Sequence, residues 1–254
     1  MSGNIQPPAA GSLDGCEFVM VSSTGSEVSA EHPSRFRYRQ AGAMVWGEYR
    51  GDSVLFGKFA GRRDGARVTI GFAHSLRSGG TPLLGTATST IMRGEDGRML
   101  LVEDFDKDGV TQQSICAQVD PTDDWHPPAA TDDPLSVDAT AFVLVSSTAS
   151  TVDSVAPTRF DFSERGGILW GDYRGDTVAT GHCVGVRNES ALNEYFVHKL
   201  VSSGATLFGV SSTEVRARDD GQLELVEEFV LNGVPGRSVC LQLSSLQATV
   251  ANAY

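Results

Sequence analysis

The chain has 254 residues, of which 40% are hydrophobic and 20% charged, a globular rather than a disordered balance. Its formal charge of −12 repels a phosphate backbone, so nucleic acid is not an expected partner, and no apolar run reaches the roughly 20 residues of a membrane-spanning helix. Glycine is abundant, at 28 residues, while aromatics make up only 8%, which favours short strands and turns over long helices.

The chain opens with "MSGNIQPPAAGSLDG", which has no basic segment followed by an apolar one. It reads as a disordered leader and not as a signal peptide. Short apolar-alternating runs follow at 16–22, 34–40, 43–50, 53–60, 66–75, 82–92, 98–106 and 111–119. They are separated by "QAG", "RGD", "RRDG", "RSGGTP", "GEDG" and "DKDG", all turn chemistry. The basic stretch "GRRDGAR" at 61–67 is broken by glycines and reads as a solvated hairpin. Eight strands at this spacing imply an antiparallel meander that closes to hide its edges, an up-and-down barrel, with a sandwich as the alternative.

Residues 120–137, "DPTDDWHPPAATDDPLSV", are rich in Pro and Asp and read as an extended linker. Within it, Trp125 is expected to dock on a neighbouring surface and His126 to do no chemistry. Beyond the linker the pattern begins again. "WGEYRGD" from Trp46 recurs as "WGDYRGD" from Trp170, and residues 18–119 align on 142–243 without a gap and with about 40 identities. The chain is a tandem duplication, expected as barrels at 14–120 and 138–246 joined by 121–137. The fold class is all-β, two tandem lipocalin-like barrels of about eight strands. "YRGD" falls between two strands and is a hairpin turn, with Gly51 or Gly175 supplying positive φ. The chance occurrence of an adhesion tripeptide needs no other account.

The order "F-x-Y-x-Q-x-G", "W-x-E-Y-x-G-D", "G-K-F-x-G", "F-x-H" and "L-x-V-E-x-F" resembles the small bacterial domains often labelled N-acetylglutamate synthase. Both copies carry the resemblance, over roughly 16–119 and 140–243. It implies a small lipocalin-like or avidin-like barrel. Asp52 and Asp176 depart from the pattern, standing where those domains usually have a second glycine. Barrels of this general shape include cofactor-free cyclases and isomerases of natural-product biosynthesis, a likeness of fold alone.

Strand periodicity groups Trp46, Glu48 and Arg50 on one face and Val45, Gly47 and Tyr49 on the other. Phe72 shares a face with His74, and Glu103 with Leu101 and Phe105. The second copy repeats the set with Trp170, Asp172, Arg174, Tyr173, Phe196, His198 and Glu227. Turned inward, Glu48, His74 and Glu103, and Asp172, His198 and Glu227, would give an apolar cavity with acid–base groups. Trp46, Tyr49, Arg50, Trp170, Tyr173 and Arg174 would help bind the ligand. Alternatively Glu48 and Arg50 form a structural ion pair, and His74 is a core histidine bonded to Glu103. Between the copies Lys58 becomes His182, Phe59 becomes Cys183 and Leu55-Phe56 becomes Ala179-Thr180, so the second pocket is expected to be larger, with His182 and Tyr195 added to it. A Cys183–His182 nucleophile is disfavoured because adjacent strand residues face opposite ways.

No cofactor or metal is expected: the five histidines are scattered, and no glycine-rich phosphate loop or G-x-S-x-G elbow occurs. Four cysteines without paired spacing suit a reducing cytosol, so the expected location is cytoplasmic. The leading expectation is a cofactor-independent enzyme acting on a small, largely apolar metabolite, a cyclase or isomerase. The alternatives are a sequestering or resistance protein that only binds such a molecule, and an interaction module with filled barrels.

Overall fold

In the computed structural model, the residues described are 11–25, 27–107, 109–122, 125, 128–129, 133–231 and 234–244. Eight antiparallel strands close the first barrel: β1 (Glu17–Ser23), β2 (Arg35–Ala41), β3 (Met44–Gly51), β4 (Val54–Asp64), β5 (Arg67–Leu76), β6 (Leu83–Arg93), β7 (Met99–Lys107) and β8 (Val110–Val119). Eight more close the second: β9 (Thr140–Ser147), β10 (Arg159–Arg165), β11 (Ile168–Arg174), β12 (Val178–Asn188), β13 (Ala191–Leu200), β14 (Thr206–Ala217), β15 (Leu223–Leu231) and β16 (Val234–Gln242). Each strand pairs with its sequence neighbours, and β1 pairs with β8 as β9 does with β16. The order is up-and-down, as the turn spacing implies. Register shifts at Met20/Ser22, Tyr49/Gly51 and Val54/Phe56 in the first barrel, and at Val178/Thr180 and Val239/Cys240 in the second, are bulges that add the curvature closure needs.

Alternation gives each barrel an inner and an outer face. Phe18, Tyr38, Val45, Tyr49, Phe59, Val68, Ile70 and Leu101 form the inner core of the first. Phe142, Phe162, Leu169, Tyr173, Cys183, Leu192, Val215 and Leu225 form that of the second. Two segments correct the expected leader and linker. Leu13 is fully buried in the first core, and Val137, 124 residues on, in the second. Their amides are held by Gln40 Oε1 (2.9 Å) and Glu164 Oε2 (3.1 Å), so residues just ahead of each barrel seal one of its ends. Residues 1–10 of the expected leader lie outside the described residues, as does His126. Trp125 sits between the Arg37 and Arg50 guanidinium groups, 4.9 and 5.0 Å from its ring, so it docks on the first barrel as the linker composition suggested.

The repeated "WG-x-YRGD" now has a physical reading. A Cβ on Gly47 would lie 1.9 Å from the Arg37 carbonyl oxygen, so only glycine fits there. Gly51 has φ 120° and lies against Pro33, but Gly175 does not adopt positive φ; it is glycine because a Cβ would meet Thr158 Cα at 2.2 Å. Asp52 accepts hydrogen bonds from the amides of Ser29 and Ser34, both at 2.6 Å. Asp176 accepts from the Asp153 amide at 2.9 Å and the Thr158 hydroxyl at 2.8 Å. The aspartate that departs from the look-alike pattern ties the β3–β4 or β11–β12 turn to the long loop beside it. "GRRDGAR" forms the end of β4, the turn at Gly65 (φ 58°) and the start of β5.

Candidate functional site

The second barrel encloses a cavity of about 510 Å³. Leu144, Phe160, Phe162, Phe196, Leu207, Leu225 and Phe229 supply its apolar wall, and Tyr173, Glu194, His198, Ser211, Thr213, Glu227 and Ser238 its polar groups. Ser147, Ser150, Asp176, Thr177, Val201 and Ser202 also line it, so it reaches the loops at one end, away from the Val137 seal.

Local sequence builds the polar groups into place. Tyr173, Gly181 and His198 are cross-strand neighbours on β11, β12 and β13. A Cβ on Gly181 would lie 2.3 Å from the Tyr173 ring, so this glycine lets the ring cross β12. The Tyr173 hydroxyl thereby reaches His198 Nδ1 at 2.9 Å. Phe196 stacks on His198 (5.4 Å, 11°), and Gly209 leaves room for the Phe196 ring. The first barrel has the same construction: Tyr49 crosses Gly57 to His74 Nδ1 at 2.6 Å, and Phe72 stacks on His74 over Gly85. Burial holds His198 down at about 4, lowers His74, and pushes Tyr49 and Tyr173 well above the phenol range. Both pairs are therefore neutral near pH 7.

The acids behave in the opposite sense. Burial raises Glu103 to about 7 against a hydrogen bond from Ser89. In the second barrel burial also raises Glu227, although Ser238 Oγ donates to its Oε2 at 2.6 Å. A further acid, Glu194 on β13, is raised to about 7, first by burial and then by the nearby Glu227. Thr213 Oγ1 donates to Glu194 Oε1 at 3.1 Å. Ser211 Oγ lies close enough to both carboxylates to favour their ionisation but makes no hydrogen bond of good geometry.

Of the residues expected from sequence to form a site, Tyr173, His198 and Glu227 line the cavity together, and Tyr49, His74 and Glu103 face the first barrel's interior. Trp46, Glu48 and Arg50, and Trp170, Asp172 and Arg174, do not join them. They alternate with the inward Val45 and Tyr49, or Leu169 and Tyr173, and stand on the outer face. Glu48 there pairs with Lys58 across the strands at 2.7 Å, and Asp172 with His182 at 2.6 Å. The change of Lys58 to His182 is a swap within an outer cross-strand pair, and His182 does not line the cavity. Tyr195 is also outside, stacked on Phe208 at 5.9 Å. Cys183 faces inward in place of Phe59, with its thiol pushed well up by burial, an inert lining group and no partner of His182. Sequence reading missed Glu194 and Ser211. Both stood out in the repeat alignment, opposite Ile70 and Ala87, had the comparison been carried along β5 and β6.

The avidin-like protein family matches residues 11–119 and again 135–243. The chain belongs to that family, as two consecutive copies of its barrel. Among curated proteins none matches. Among solved structures the chain is similar to transferrin binding protein B from Haemophilus parasuis, a Trp-176-Ala mutant, at 8% identity. That match covers 87% of this chain and 68% of the other, with a TM-score of 0.30. Transferrin binding protein B from serogroup B Neisseria meningitidis matches at 7% identity, covering 85% and 67%, with a TM-score of 0.29.

Proposed function

We propose that the second barrel binds a small, largely apolar molecule in its interior. One observation carries this: a cavity of about 510 Å³ with aromatic and aliphatic walls and a few fixed polar groups, the usual build of a small-molecule site. Membership of the avidin-like family supports the same reading. The neutral Tyr173–His198 pair would present hydrogen-bonding groups that need no counter-charge, and the two buried acids would fix orientation. The N-acetylglutamate synthase label of look-alike domains forms no part of this reading.

The test is binding of an environment-sensitive apolar dye to the whole chain and to Cys183→Phe, which restores the first barrel's residue at that position. Dye binding that falls at least tenfold in the variant, with unchanged far-ultraviolet circular dichroism, supports the interior site. Equal binding by both proteins sinks it.

A second reading, proton-transfer catalysis of the cyclase or isomerase type, is favoured by the Glu194 carboxyl. Burial sets it near 7, where a general acid or base works best. Turnover of a bound ligand that Glu194→Gln abolishes without weakening binding would distinguish catalysis from binding alone.

A further inference from the structure

We infer that the ligand of the second barrel carries a protonated nitrogen, seated between the carboxyl groups of Glu194 and Glu227. This rests on the binding reading above and adds the chemical class of the ligand. Glu194 on β13 and Glu227 on β15 flank β14, and both face the cavity. Thr213 on β14 links them: its hydroxyl donates to Glu194, and it is the cross-strand partner of Glu227. Two carboxyl groups so placed repel when both are ionised, and something positive must resolve the repulsion.

No protein group among the described residues lining the cavity does so. The other titratable groups lining the cavity are Cys183 on β12, Cys240 on β16, Tyr173 on β11, His198 on β13 and Asp176 at the loop end. None is a lysine or arginine, and His198 is kept neutral by burial. Two buried acids elsewhere in the fold do have a cation. Glu17 has Arg35 at 2.7 Å, and Glu164 has Arg187 at 2.6 Å. The pair inside the cavity is left to a proton or to a guest, as Glu103 of the first barrel is left to its proton.

An independent observation points to the guest. Ser211, 4% exposed and lining the cavity, lies beside both acids, yet its hydroxyl makes no hydrogen bond of good geometry to either. A buried polar atom left in that state is costly, and it marks where a ligand atom completes the bonding. A primary ammonium has three N–H donors, one for each carboxylate and one for the Ser211 oxygen. The aromatic residues Phe160, Tyr173 and Phe196, which line the same cavity, suit an organic cation. The first barrel lacks the arrangement, with Ile70 and Ala87 in place of Glu194 and Ser211.

The probes are tryptamine, its neutral analogue indole-3-ethanol and its anionic analogue indole-3-acetate, titrated calorimetrically into the intact chain at neutral pH in two buffers of different ionisation enthalpy. Tryptamine is expected to bind at least tenfold more tightly than the alcohol, the acetate not at all. Heats that depend on the buffer would reveal protons released from the acid pair as the cation enters. Glu194→Ile, which copies the first barrel, should bring tryptamine down to the level of the alcohol in the same variant. Glu194→Gln, of the same shape, serves should the isoleucine variant fail to fold. Equal or tighter binding of the alcohol overturns the cationic ligand but leaves the pocket standing. Failure of all three probes to bind overturns the pocket as well.

Discussion

In the first barrel Tyr38 and Phe59 pack with ring centroids 4.6 Å apart, and Ile70 lies in the same core. At the equivalent positions the second barrel has Phe162, Cys183 and Glu194, and there a cavity is found. The strands, their register, the Tyr–His pair and the crossing glycines are common to both. A few inward substitutions thus change which groups face the interior while the strands stay as they were. The outer face diverges differently, keeping the cross-strand side-chain contact of Glu48–Lys58 in the altered form Asp172–His182. Divergence inside alters the groups presented; divergence outside preserves pairing.

The largest expected effect breaks the equivalence of the two walls. Gly47→Ala puts a methyl group 1.9 Å from a backbone oxygen, whereas in Gly171→Ala the nearest atom, the Asp161 oxygen, is 2.8 Å away. The first change should cost more than about 3 kcal/mol and the second about 1 kcal/mol, read from urea unfolding of each variant. Next comes pH. Glu194 holds its proton up to about 7 when folded and near 4.5 when unfolded, so the folded chain carries the extra proton between those values. Its contribution is complete below the unfolded pKa and is lost as pH rises through the folded one, on the order of 3 kcal/mol. Unfolding measured near pH 5 and near pH 8 should show Glu194→Ile losing less stability over that interval than the parent. An unchanged pH dependence would place the Glu194 proton elsewhere.

A smaller effect sharpens the contrast in filling. Phe59→Cys, the second barrel's residue moved into the first, should cost about 2 kcal/mol by opening a hole in a packed core. The reciprocal Cys183→Phe should cost little, because its ring enters existing space; crystal structures of both would show the exchange. Smallest of all, Lys58→Ala should cost about 0.5 kcal/mol, as expected of a partly exposed ion pair, with the loss fading in high salt.

Sixteen strands and their meander were legible because turn chemistry punctuates apolar runs at regular intervals. Which face of β3 points inward was not. Trp46 and Tyr49 put a large aromatic on each face, so alternation alone favours neither side. The deciding signal lay in glycines on neighbouring strands, Gly57 and Gly61, whose missing side chains make room inside. That reversal moved Trp46, Glu48 and Arg50 to the exterior, while His74 and Glu103, flanked by apolar residues on unambiguous strands, stood where expected. Leu13 was obscured because a single apolar residue among Gly, Ser and Pro carries no periodicity. Asp52 was read only as a departure from a pattern, since its partners Ser29 and Ser34 lie in a loop that sequence does not fold.

Closure of each barrel has a consequence for how such a chain can arise and be re-cut. Glu17 lies opposite Val119, and Phe142 opposite Gln242, so each unit begins and finishes at one seam. A gene copied end to end therefore joins two complete units without stretching or threading either. By the same token, tying a unit's own ends together and opening it at a distant surface turn, such as Gly79–Gly80, leaves every strand with its original neighbours.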